Sequence, residues 1–184
     1  MKIAQPAPGL PGHRLSTLVF AALACNTIYY MVAGRFSEAL ESVAWYALLI
    51  LFLFEITHHR LAHEPWARAG VRIGRMMATL AIATTAVLYV REKEWLDAAN
   101  LGLWIAVVVV LEAEIRWPVS VAAHRKAYTR MAVALFVGLG CLVVVWLTIG
   151  QWMNAWDATL WLAAFGLLEW QALNGDSKIM NKNK

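Results

Sequence analysis

Residues 107–118 read VVVVLEAEIRWP, from Val107 to Pro118, and set Glu112 and Glu114 directly behind a run of pure hydrocarbon. Carboxylates are expensive in lipid. The rest of the chain shows that this run is nevertheless a membrane segment. Of 184 residues, 61% are hydrophobic and 15% are charged, against about 45–50% and about 25% in ordinary soluble domains. The apolar residues lie in blocks: Leu15–Ala33, Val43–Ile56, Met76–Val90, Leu101–Ile115, Met131–Ile149 and Ala158–Leu173. None alternates in and out like the strand of a closed barrel, so all six are expected to be helices. Ten tryptophans suit the same setting, because the indole ring favours the membrane–water interface.

The connections alternate in charge. Residues 57–75, THHRLAHEPWARAGVRIGR, carry Arg60, Arg68, Arg72 and Arg75 against the single acid Glu64. Residues 116–130, RWPVSVAAHRKAYTR, carry Arg116, Arg125, Lys126 and Arg130 and no acid. GRFSEALES, REKEWLDAAN and GQWMNAWD are each net acidic. Lys and Arg accumulate in cytoplasmic loops. The expectation is therefore an all-α integral membrane protein with six transmembrane helices and both termini in the cytoplasm, in a bacterial inner membrane. It divides into an irregular N-terminus (1–13), one membrane domain (14–174) and a polar tail (175–184). A signal peptide competes for the first block, since Arg14 precedes it and ALAC loosely matches a lipoprotein cleavage site. The apolar run continues past Cys25 to Gly34, however, which favours a span.

Self-similarity organises the six segments. Arg14, Arg75 and Arg130 each open an odd-numbered helix, and Trp45, Trp104 and Trp161 follow 31, 29 and 31 residues later. Four residues before each tryptophan stand Glu41, Asn100 and Asp157; ten residues after stand Glu55, Glu114 and Gln171. This spacing predicts three helical hairpins (about 14–60, 75–118 and 130–174) inserted in the same sense, a parallel-topology repeat around a pseudo-threefold axis. Chance agreement among Leu/Ala/Val-rich helices is the competing explanation. Ala22, Ala24 and Cys25 match Gly138, Gly140 and Cys141, small residues that let helices approach closely.

The glutamates cannot lie outside the membrane. Only thirteen uncharged residues separate Glu41 from Glu55, fourteen separate Asp97 from Glu112, and eleven separate Asp157 from Glu169, whereas a span needs about 20. Glu55, Glu112, Glu114 and Glu169 then sit roughly 8–11 Å inside the cytoplasmic boundary at the helical rise. Two readings follow. In the structural one, each hairpin holds an inward Glu–Arg pair: Arg14 with Glu55, Arg75 with Glu112 or Glu114, and Arg130 with Glu169. Arg116 adds a favourable i, i+4 partner for Glu112. In the transport reading, Glu41, Asn100 and Asp157 form a polar ring at one mouth of an apolar stretch, and Glu55 and Glu114 belong to a ring at the other, a cation or proton path.

Other chemistry has little support. His59 and His63 have metal-capable spacing but lie in a juxtamembrane segment beside Arg60, and His124 stands apart. Cys25 and Cys141 form no disulfide framework or zinc pattern. No phosphate-binding glycine loop or Ser/His/Asp set is present, so no enzyme, metal or cofactor is expected. The cations flank apolar runs and form no soluble basic patch, which argues against nucleic acid. The expected partners are the lipid bilayer, cations or protons, or other membrane subunits. Transport through the buried glutamates leads. A non-catalytic accessory or assembly subunit of a larger membrane complex is the alternative.

Overall fold

The computed structural model describes residues 11–58 and 64–182; within these, the side chains of 11–14, 16, 56, 114, 115 and 168–182 fall outside the described set. Every element among the described residues is helical. In chain order they are α1 (Pro11–Ala33), α2 (Phe36–Thr57), α3 (Pro65–Glu92), α4 (Trp95–Arg116), α5 (Pro118–Ala123), α6 (Arg125–Thr148) and α7 (Trp152–Lys182). Each helix reaches beyond its apolar block into polar sequence. Pro11, Pro65 and Pro118 each occupy the first residue of a helix, where the missing N–H has no intrahelical partner to lose. No proline follows Pro118, and α7 continues through the polar tail to Lys182 instead of ending near Leu173.

Four stretches are long and apolar enough to cross a membrane: Phe36–Glu55, Pro65–Glu92, Trp95–Ala113 and Arg125–Thr148. Thr17–Ala33 is a shorter apolar helix. The block expected at Ala158–Leu173 runs into the side chains outside the described set. Large apolar residues are exposed along the outer faces of these helices, among them Met76, Met77, Leu80 and Val87 on α3 and Val133, Val137 and Val144 on α6. A soluble monomer exposes no such continuous apolar faces, whereas hydrocarbon solvates them. Exposed tryptophans stand at helix ends: Trp66 and Trp117 at one end, and Trp95 and Trp152 directly after hairpin turns. These are the features of a helical membrane protein.

Two compact units divide the chain, one Asn26–Leu139 and the other Met1–Cys25 with Gly140–Lys184. In the first, α2 and α3 pack along their length, and α3 also packs on α4. The α2–α3 pair is antiparallel. Ser37 meets Glu92, Glu41 meets Tyr89, Leu51 lies against Gly74 and Glu55 meets Arg75. Ala44, Ala78, Ile82, Tyr89 and Leu101 form its core, edged by Trp45, Leu48, Ala81, Ala86 and Ala98. Alanine dominates because apolar side chains gain little by leaving lipid, so close backbone approach carries the packing. A Cβ on Gly74 would lie 3.0 Å from Leu51, and one on Gly138 would lie 3.3 Å from Leu103. Gly140, expected to pack in the same way, has open space beside it. In the second unit Trp146, Ala155, Ala158, Trp161 and Ala164 are buried.

The turns before α2, α4 and α7 share a residue spacing. Helices α2, α4 and α7 begin at Phe36, Trp95 and Trp152; Glu41, Asn100 and Asp157 follow five residues on, and Trp45, Trp104 and Trp161 nine residues on. Six residues before each start stands an aromatic with a polar tip, Tyr30, Tyr89 or Trp146, only 6%, 2% and 1% exposed. The second and third turns also close alike. Glu94 N–H donates to Tyr89 O at 3.0 Å and Gln151 N–H to Trp146 O at 2.9 Å, with Lys93 (φ 62°) and Gly150 (φ 78°) left-handed before them. This is the six-to-one closure of a helix C-terminus. The first turn is tighter: Gly34 N–H bonds Tyr30 O at 3.0 Å, and a Cβ on Gly34 would fall 2.7 Å from that oxygen.

Candidate functional site

The largest convergence of charge lies where the first two hairpin turns meet. Arg35 precedes α2 in extended backbone (φ −69°, ψ 160°), and its N–H donates to Glu38 Oε2 at 2.7 Å, one arm of a capping box. The Arg35 guanidinium then reaches four carboxylates. Its Nε and Nη2 donate to Glu38 Oε1 at 3.1 and 2.7 Å, and Nη2 also donates to Asp97 Oδ2 at 2.8 Å. Nη1 pairs with Glu94 and lies 3.9 Å from Glu92. The backbone explains the gathering. Glu38 and Asp97 sit in the first turns of α2 and α4, where the helix dipole favours an acid. Left-handed Lys93 turns the chain so that Glu92 and Glu94 flank the same guanidinium. Burial pulls the Arg35 pKa down, but the hydrogen bond and charge of Glu38, then Asp97 and Glu94, outweigh it and hold the group above the ordinary arginine range.

Two hydroxyls extend the network inward. Fully buried Ser37 donates to Glu92 Oε2 at 2.7 Å, and Tyr89 donates to Glu41 Oε2 at 2.5 Å. Five carboxylates (Glu38, Glu41, Glu92, Glu94 and Asp97) thus share one guanidinium and two hydroxyl donors. One turn deeper than Asp97 on α4, Asn100 is 8% exposed and its Oδ1 has no hydrogen-bond partner among the described residues. In the second unit, Trp146 Nε1 is likewise buried without a partner. Asn100 stands five residues into α4 as Glu41 does in α2, and Trp146 stands six residues before α7 as Tyr89 does before α4.

At the other helix ends the pairing departs from expectation. Arg75 bonds Glu55. The antiparallel packing of α2 on α3 sets the end of α2 beside Arg75. Glu112 takes its own-helix neighbour Arg116 at 2.6 Å. The Glu55 and Arg75 side chains are 36% and 48% exposed, and those of Glu112 and Arg116 are 48% and 65% exposed. Neither pair is enclosed by protein. Asp157 is half-buried on α7 and Arg130 exposed on α6. The side chains of Arg14, Glu114, Glu169 and Gln171, and residues His59 and His63, lie outside the described set.

His124 Nδ1 lies 3.1 Å from Ser120 O, and Cys25 and Cys141 are exposed thiols. Among the described residues no group of three His, Cys, Asp or Glu side chains is arranged to hold a metal ion. Arg35, Ser37, Glu38, Tyr89, Glu92 and Glu94 were not singled out by sequence reasoning. The signal was the pairing of two opposite-charge clusters, SE after GR and REKE before WLD, at matching hairpin turns. Comparison of the chain with family models, curated proteins and solved structures finds no match.

Proposed function

We propose that the chain is a six-span membrane protein of three like-oriented hairpins related about the membrane normal, with both termini in the cytoplasm of a bacterial inner membrane. We further propose that it serves as a non-catalytic accessory or assembly subunit of a larger membrane complex. The shared turn register and the recurrence of Tyr30, Tyr89 and Trp146 support the repeat. One observation carries the functional choice: of the described carboxylates, Glu38, Glu55, Glu92, Glu94, Asp97 and Glu112 meet cations of their own chain, and Glu41 meets Tyr89. A conduction path needs acids facing water, whereas Glu41, Glu55, Glu92, Glu94 and Asp97 tie neighbouring elements together.

Transport of cations or protons is the second reading, favoured by the buried, unbonded Asn100 Oδ1. Flux assays in proteoliposomes separate the two. The subunit reading expects no cation or proton flux above protein-free vesicles. A wild-type flux abolished by Asn100→Leu would overturn it. For the topology, cysteines introduced one at a time at Glu64 and Lys93, in a chain whose own Cys25 and Cys141 are replaced by serine, are labelled in intact cells. Label from outside is expected at 93 and not at 64; the reverse pattern removes the orientation.

A further inference from the structure

The first half of α6 carries a groove of about 750 Å³ lined by Arg125, Lys126, Thr129 and Arg130 at one end and by Val133, Ala134 and Val137 below them. We propose that this groove binds one anionic phospholipid of the cytoplasmic leaflet, with its phosphate among Arg125, Lys126 and Arg130 and an acyl chain along Val133, Ala134 and Val137. The inference rests on the membrane reading of α6 and is independent of whether the protein conducts ions.

Register along the helix supports it. Helix α6 has 24 residues, about 36 Å at the helical rise, against a hydrocarbon core of about 30 Å. The first turn therefore stands in the headgroup layer. Arg130 lies just below and can extend its guanidinium up to that layer, as long cationic side chains do. Val133 and Val137 follow roughly 5 and 10 Å deeper, at the depth of the upper acyl chain. Seen down the axis, Lys126, Arg130, Val133 and Val137 fall within about 60° of one another, so headgroup and chain contacts form one continuous stripe.

Charge complementarity decides the occupant. From Arg116 to Trp156 the sequence contains no Asp or Glu, and among the described residues no carboxylate pairs with Arg125, Lys126 or Arg130. The four cations of 116–130 equal the net charge of the whole chain, +4. A zwitterionic lipid would bring its own ammonium into this cluster. An anionic headgroup brings only the phosphate, and the Thr129 hydroxyl adds a neutral donor. Basic pockets beside membrane helices on the cytoplasmic side recognise such headgroups.

The test uses the full chain in mild neutral detergent, with native mass spectrometry of the protein titrated with dioleoyl phosphatidylglycerol or dioleoyl phosphatidylcholine. One tightly held phosphatidylglycerol is expected. The double variant Arg125→Gln/Lys126→Gln, which leaves Arg130 untouched, should bind it about thirtyfold more weakly, at about fivefold per surface cation. Ala134→Trp keeps every cation and fills the apolar end; it too should lose the bound lipid. All three positions are exposed, and unchanged helix content and membrane recovery establish that each variant folds. Equal binding of the two lipids, or wild-type binding by either variant, overturns the proposal. So does displacement of the lipid by glycerol 3-phosphate, which marks a free-anion site, or by dimer formation, which assigns the groove to a second copy.

Discussion

Arg35→Gln isolates the charge network at the hairpin turns, because it removes the guanidinium shared by four acids while keeping a side chain of similar length. The losses differ in size. Glu38 is an i, i+3 neighbour and Glu94 is 39% exposed, so each pair falls in the exposed class worth about 0.2–1 kcal/mol. Glu92, at 3.9 Å and already bonded by Ser37, contributes little. The Asp97 side chain is only 9% exposed, and an acid deprived of its charged partner at that depth costs about 1–3 kcal/mol. The expected destabilisation is about 2–4 kcal/mol, most of it from Asp97. Unfolding in mixed micelles with increasing dodecyl sulfate, followed by helical circular dichroism, gives the number. Asp97→Asn then supplies the control. It should destabilise the wild type but partly rescue Arg35→Gln, because it removes the orphaned charge. Arg35→Lys should recover only part of the loss, since an ammonium cannot bridge Glu38, Glu94 and Asp97 as a planar fork does. A loss below about 0.5 kcal/mol, an exposed-pair value, or an Asp97→Asn effect independent of residue 35 refutes this account.

The same unfolding assay checks three further expectations. Tyr89→Phe should cost about 1–3 kcal/mol, because the ring stays packed while Glu41 loses its donor; a double-mutant cycle with Glu41→Gln should return most of that value as coupling. Glu112→Gln should change stability by no more than about 0.5 kcal/mol, as befits an exposed i, i+4 pair, and a larger loss would mean that Glu112 is enclosed. Lys93→Gly should stabilise by about 0.5–1 kcal/mol by relieving a left-handed non-glycine residue, and Gly150→Ala should destabilise by about 1 kcal/mol at the matching turn.

The helices were legible because apolar blocks are local signals. The register of Trp45, Trp104 and Trp161 was legible too, and each stands nine residues into its helix. The buried aromatics Tyr30, Tyr89 and Trp146 were not. Counting began at Arg14, Arg75 and Arg130, and the middle arginine stands two residues nearer its tryptophan, so these positions differ in offset; counted back from the helix starts, each aromatic lies six residues before. The Arg35 network was hidden for another reason. Its reach to Asp97 spans 62 residues, and no periodicity within one helix announces a contact between two loops. The Arg75–Glu55 pair was missed because hairpins were treated as self-contained, whereas the packing of α2 on α3 joins consecutive ones.

The local pairing of Arg35 with Glu38 also bears on how the chain enters the bilayer during synthesis. On the proposed orientation, the turn holding Arg35 is translocated before α4, and therefore Asp97, has been made. A lone arginine would oppose that passage. Glu38, one turn away and bound through both backbone and guanidinium, travels with it, so the pair crosses as a locally neutral unit. The second turn repeats the device in its primary structure: Arg91, Glu92, Lys93 and Glu94 alternate in sign and sum to zero. The Arg35–Glu38 pair and the run 91–94 are thus each neutral, within turns that are net acidic. Only after the second arrives can Arg35 reach beyond Glu38, so the contact that eases export later becomes the hub that fastens one hairpin to the next.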